Sequence, residues 1–124
     1  MQFLVLIHTD ESLIEAMPPG AYDRTMKQCI QHADEMKAEG KVLDWKQLEA
    51  PATAKTIRVR NGRTSIVDGP FAETKELLGG FNLIEAADMD EALRIAAEFP
   101  WASVGAIEVR AVRDFEAVRR RVGA

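Results

Sequence analysis

The chain is short of the residues that most often announce chemistry. Cys29 is the only cysteine in 124 residues, and His8 and His32 are the only histidines. One cysteine excludes an internal disulfide and a cysteine-based zinc centre. Two histidines in separate elements give no metal-ligand spacing, so no metal is expected, although Asp68 and Glu73 form an oxygen-rich pair. Phosphate-loop, dinucleotide-fingerprint and nucleophile-elbow patterns are absent, and no cofactor is expected. There is no long hydrophobic run. The apolar opening Phe3–Ile7 lacks a basic flank and is too short for a signal peptide or a membrane span, so the expected compartment is the cytoplasm, with no membrane partner. There is no basic excess either. A net charge of −4 and a pI near 5.2 argue against nucleic acid as a partner.

What is present fits one domain over residues 1–124. A hydrophobic share of 47% beside 29% charged residues is ordinary for a globular chain. Phe3–Ile7 is uniformly apolar and reads as a strand buried on both faces, with His8 at its end. Thr9 to Gly20 reads as a connection. From Ala21 to Glu39, Tyr22, Met26, Cys29, Ile30, Ala33 and Met36 recur at helical spacing, and Gly40 closes the helix. Cys29 lies in the apolar stripe and reads as a small hydrophobe; His32 flanks it. Val42 to Leu48 reads as an irregular strand. Lys55–Arg60 and Arg63–Val67 flank Asn61-Gly62, the pattern of a type I′ hairpin. Arg58, Arg60 and Arg63 make that hairpin basic.

The chain is organised around Asp68-Gly69-Pro70-Phe71-Ala72-Glu73-Thr74-Lys75-Glu76, closing with Gly79-Gly80-Phe81. Pro70 cannot donate to a ladder, so the strand before it ends at Asp68. Glu73 to Leu78 is long enough for about one helical turn, which the glycine pair would stop. Phe81–Ala86 reads as a strand. Asp88 and Glu91 form a capping box before a helix from Met89 to about Phe99, with Ala92, Leu93, Ala96 and Phe99 turned inward and Pro100 ending it. Ala106–Val112 alternates as a last strand, with Ile107, Val109 and Ala111 on one face and Glu108 and Arg110 on the other. Asp114 to Arg121 reads as a short terminal helix.

Strand, helix, strand, hairpin, strand, helix, strand is the order of an α+β ferredoxin-like sandwich. Both helices would cover one face of the sheet. The strands are apolar on both sides, so the other face asks for a second sheet, giving a homodimeric α+β barrel. A ligand pocket is expected between sheet and helix, or inside the barrel.

The string from Asp68 to Phe81 also resembles the signature of DGPF-type proteins of the YCII-related family. The Pro51-Ala52-Thr53-Ala54 lead-in, the basic hairpin and Ile107-Glu108-Val109-Arg110 followed by Asp114-Phe115 extend the likeness to about Phe115. The resemblance implies a dimeric α+β barrel and a histidine–aspartate pair as the active site. Here the position of the family's helix histidine is held by Cys29, with His32 one turn later; no catalytic role is carried to Cys29. Ala111 stands where similar proteins have proline.

Two functions follow as expectations. One is a cofactor-free enzyme doing general acid–base chemistry on a small organic molecule. His8, His32 and Asp68 would be catalytic, the carboxylate fixing an imidazole tautomer, and Glu73 and Lys75 would bind the ligand. The other is a non-enzymatic module binding a ligand or a protein. For it the resemblance implies a regulatory setting linked to extracytoplasmic-function sigma factors.

Overall fold

The computed structural model describes residues 1–72 and 74–124. In chain order the elements are β1 (Gln2–Asp10), α1 (Glu11–Glu15), α2 (Ala21–Ala38), β2 (Val42–Gln47), β3 (Lys55–Arg60), β4 (Arg63–Asp68), β5 (Glu76–Glu85), α3 (Met89–Ala96), β6 (Gly105–Ala111) and α4 (Phe115–Val122). Short 3₁₀ turns at Pro51–Thr53 and Pro100–Val104 each begin with a proline, which needs no N–H there. No described helix is long and apolar enough to cross a membrane.

Four strands form one antiparallel sheet in the order β2-β5-β1-β6, and β3 and β4 pair as a separate hairpin. Setting the hairpin and α1 aside, this is the βαββαβ ferredoxin-like topology expected from the element order. Phe3, Val5 and Ile84 point to the face covered by α2 and α3, and they form the main core with Met36, Val42, Ala92, Ile95 and Phe99. Leu4, Leu6, Phe81 and Leu83 alternate onto the opposite face, where they stay half-buried. The sheet is therefore apolar on both sides, as its sequence suggested.

The hairpin turn is formed as read: Asn61 and Gly62 have φ of 53° and 74°, the positive pair that a type I′ turn requires. Gly69, at φ 94°, needs glycine for the same reason.

Three readings are corrected. Glu76–Leu78 are not helical. They belong to β5 and pair with His8, Thr9 and Asp10, so long-range pairing overrides the local signal. Gly79 and Gly80 do not stop an element either. Ile7 faces Gly80 while His8 faces Leu78, which leaves Gly79 as the extra residue of a β-bulge. The Glu73 part of that reading lies outside the described residues. Thr9–Gly20 is not wholly a connection: β1 continues to Asp10, whose carboxylate accepts from Ser12 N and caps α1. Finally, α3 ends at Ala96, and Leu93 is exposed while Ile95 is buried. Residues 92, 95, 96 and 99 make one stripe at helical spacing, and position 93 sits about 100° away from it.

Candidate functional site

Beyond the core, the upper end of β1 opens a cleft between the sheet and α2. It encloses about 520 Å³, within the range of small-molecule sites. Ile7, Met26, Tyr22 and Trp101 supply apolar walls; Thr9, Gln47, Glu11 and Glu49 bring polar groups to the lining. Each arrives by local structure. Tyr22 and Met26 lie one turn apart on α2. Trp101 is delivered by the 3₁₀ turn at Pro100, and its ring lies 5.5 Å from that of Tyr22, tilted by 46°. Glu11 follows the Asp10 cap, and Gly79 and Gly80 form a flat stretch of wall. Among the described residues, no lysine or arginine lines the cleft. A second recess of about 380 Å³ shares the Leu48–Pro51 wall and is lined by Pro70 and Phe71 of the central motif.

Cys29 lies behind the cleft wall, packed with Ile7 and Trp101. The Gln47 amide donates to its sulfur at 3.9 Å. Burial pushes the Cys29 thiol above its ordinary value, and the side chains of Trp101 and Gln47 oppose that rise. The group is thus kept as a neutral thiol, a packed hydrophobe rather than a nucleophile. Trp101 Nε1 is buried and turned toward the Cys29 sulfur, but it makes no hydrogen bond of good geometry among the described residues.

The residues singled out from sequence occupy separate places. His8 is on the open face of the sheet and not at the strand's end, because β1 runs on to Asp10, and its Nε2 lies 3.2 Å from Glu108 Oε1. His32 is on α2, edge-on to Phe99 with ring centroids 5.6 Å apart; its Nε2 is buried and unpartnered among the described residues. Asp68 ends β4 with 83% of its side chain exposed and pairs with Lys55 across the hairpin. No hydrogen bond or ion pair among the described residues joins Asp68 to either histidine. Lys75 is exposed and close enough to Asp10 to add to a lowering of that carboxyl's pKa caused first by the Ser12 hydroxyl. Glu73 lies outside the described residues. No group of three or more potential metal ligands occurs among the described residues.

Sequence reasoning missed Glu108, Glu49, Glu11 and Trp101. The alternation of β6 carried a signal for Glu108, since it set that carboxylate on the face opposite Ile107. For Trp101 there was none, because only the fold brings the residue after Pro100 against α2.

This topology, with a ligand-sized cleft between sheet and helix, defines a ferredoxin-like α+β protein. The chain belongs to the YCII-related family, whose domain matches residues 1–116. An uncharacterised protein of Rhizobium meliloti (strain 1021) is 38% identical over 112 residues, covering 89% of this chain and 90% of that protein. Among solved structures, the 5-chloro-2-hydroxyhydroquinone dehydrochlorinase of Burkholderia phenoliruptrix AC1100, in complex with 2,5-dihydroxybenzoquinone, superposes with a TM-score of 0.51. At 15% identity over 94% of this chain and 98% of the other, that likeness shows the fold.

Proposed function

We propose that the protein is a cofactor-free enzyme that moves protons on a small, flat organic molecule held in the cleft, and that it works as a homodimer. One observation carries the reading: two acidic residues, Glu11 and Glu49, line a cavity walled by Tyr22, Trp101, Met26 and Ile7. Aromatic walls suit a ring, and a carboxylate beside the ring can take or return a proton. The absence of a cation among the described lining residues favours a ligand that presents hydroxyl or amino donors over one that presents a carboxylate or phosphate. The structurally similar dehydrochlorinase acts on a hydroxylated ring, which agrees in size and chemistry. The dimer is supported by Leu4, Leu6, Phe81 and Leu83, an apolar row on the sheet face away from α2 and α3.

A specific observation favours a second position for the proton chemistry. His8 and Glu108 form a histidine–carboxylate pair on that open face, where a facing sheet would enclose them.

The test is ligand binding followed by Trp101 fluorescence in a Trp45→Phe background, using a panel of mono- and dihydroxylated aromatic rings and their carboxylated analogues. Saturable quenching by the neutral rings, weakened by Met26→Phe, which narrows the cleft without adding a tryptophan, supports the cleft. Quenching that is unaffected by Met26→Phe would sink it.

A further inference from the structure

The β3–β4 hairpin is a loosely attached arm. Its extensive packing is between its own two strands, and among the described residues it makes no comparably extensive contact with the four-stranded sheet or the helices. Yet it carries Ile57 and Ile66, directly paired and 63% and 66% exposed, with Val59 and Val67 also exposed. A lone two-stranded hairpin is marginal in water, so side chains of this kind are expected to be covered.

Charge says by what. Residues 55–68 hold Lys55, Arg58, Arg60 and Arg63 against Asp68, three net positive charges on an acidic protein. The other weakly packed element behaves alike: residues 111–124 hold four arginines against Asp114 and Glu116. Those two segments carry five net positive charges while the chain totals −4, so the remaining body carries nine net negative charges.

We infer that the β3–β4 hairpin is a clasp that docks on the acidic body of a second copy of this chain. In a two-fold dimer the contact occurs twice, each arm reaching the other body. Alternation sets Ile57 and Ile66 on one face of the arm and Arg58, Arg60 and Arg63 on the other, so the arm is gripped on both faces. The isoleucines gain cover, and the arginines meet acidic surface. Among the described residues, Arg58 and Arg60 otherwise donate only to the carbonyls of Phe71 and Val59. A nucleic acid would satisfy the arginines but not the isoleucines, and the acidic body would repel it. The inference rests on the dimer proposed above and adds to it a second contact beyond the sheet face.

Sedimentation equilibrium tests it, with circular dichroism confirming the fold of each variant. The wild type is expected to be a dimer that weakens with rising ionic strength. Arg58→Glu/Arg60→Glu/Arg63→Glu is expected to raise its dissociation constant by about tenfold or more and remove most of the salt dependence. Ile57→Ser/Ile66→Ser is expected to weaken the dimer without changing the salt slope. A wild-type dimer that neither variant weakens overturns the clasp and leaves the sheet-face dimer standing; a monomeric wild type overturns both. If the arginine variant does not fold, a wild-type dimer indifferent to salt overturns the clasp by itself. Binding of duplex DNA by the wild type, lost in the arginine variant while dimerisation is unchanged, also overturns it.

Discussion

His8 Nε2 and Glu108 Oε1 lie 3.2 Å apart across the β1–β6 pairing, one residue diagonal to the other. A carboxylate accepts and cannot donate, so the ring donates through Nε2 and Nδ1 keeps its lone pair. Long-range ¹⁵N–¹H spectra of the neutral ring are expected to show the Nε2–H tautomer in the wild type. In Glu108→Gln the partner can donate or accept, and the preference should collapse toward a mixture. A wild-type ring that is mainly Nδ1–H would refute the pairing.

The carboxylates of the cleft separate chemistry from binding. If Glu49 is the general base, Glu49→Gln keeps the shape and the hydrogen bonds but loses the proton acceptor. Turnover should fall by about 10²–10⁴-fold, while the fluorescence-detected affinity changes little. Glu11→Gln is the matched control, because it lines the same cleft from α1. An equal, small effect of both substitutions would move the proton chemistry away from these groups.

Asp88 anchors α3. Its carboxylate accepts from Glu91 N at 2.9 Å, and the Glu91 carboxylate accepts in return from Ala87 N at 3.4 Å. Asp88→Ala should cost about 1 kcal/mol. Urea denaturation is the measurement, and an unchanged midpoint would show that packing of Ala92, Ile95 and Ala96 alone holds α3.

That capping box was legible from four residues, as were α2, the Asn61-Gly62 turn and the ferredoxin-like order. Each depends on local chemistry: periodic apolar residues, a side chain reaching its own backbone, or a turn needing positive φ. What failed needed distant partners. Glu76–Leu78 becomes strand because His8, Thr9 and Asp10 lie alongside, and Gly80 belongs there because a Cβ would come within 2.8 Å of the Lys46 carbonyl oxygen. The candidate site was less legible still. Pro70 and Phe71 border the smaller recess, so the central motif marked the neighbourhood. The cleft itself is assembled from β1, α1, α2, β5 and the turn after Pro100, and no local pattern announces such an assembly. Asp68 looked like a histidine's partner because it opens the central motif and the family resemblance implies a histidine–aspartate pair, yet its cross-strand neighbour is Lys55.

Cys29 supplies a pH prediction. Its thiol is pushed up by burial, so the folded state holds the proton more tightly than the unfolded chain. The associated stability is fully present below the ordinary thiol range and declines as pH rises above it, through the folded value. Cys29→Ser should flatten the alkaline limb of the stability curve. Native Cys29 should react slowly with a disulfide reagent at neutral pH and rapidly once unfolded. Fast reaction of the native protein would contradict the buried thiol.

Gly105 decides how closely β6 can lie against β1. Its φ of 174° is ordinary extended backbone, so the requirement is space and not conformation. A Cβ there would stand 1.9 Å from the His8 carbonyl oxygen and 2.8 Å from Thr9 Cα. Those atoms are backbone and cannot swing aside. Gly105→Ala must therefore displace the start of β6, at a cost of about 1–3 kcal/mol by analogy with overpacking. The displacement falls beside the pair Thr9↔Gly105, one residue from His8↔Ala106, so it should also disturb the His8–Glu108 bond. Urea denaturation together with the His8 tautomer spectrum checks both effects. Loss of stability with the tautomer intact would mean that β6 yields only at its first residue; loss of both would show that the close contact at Gly105 sets the geometry of the pair.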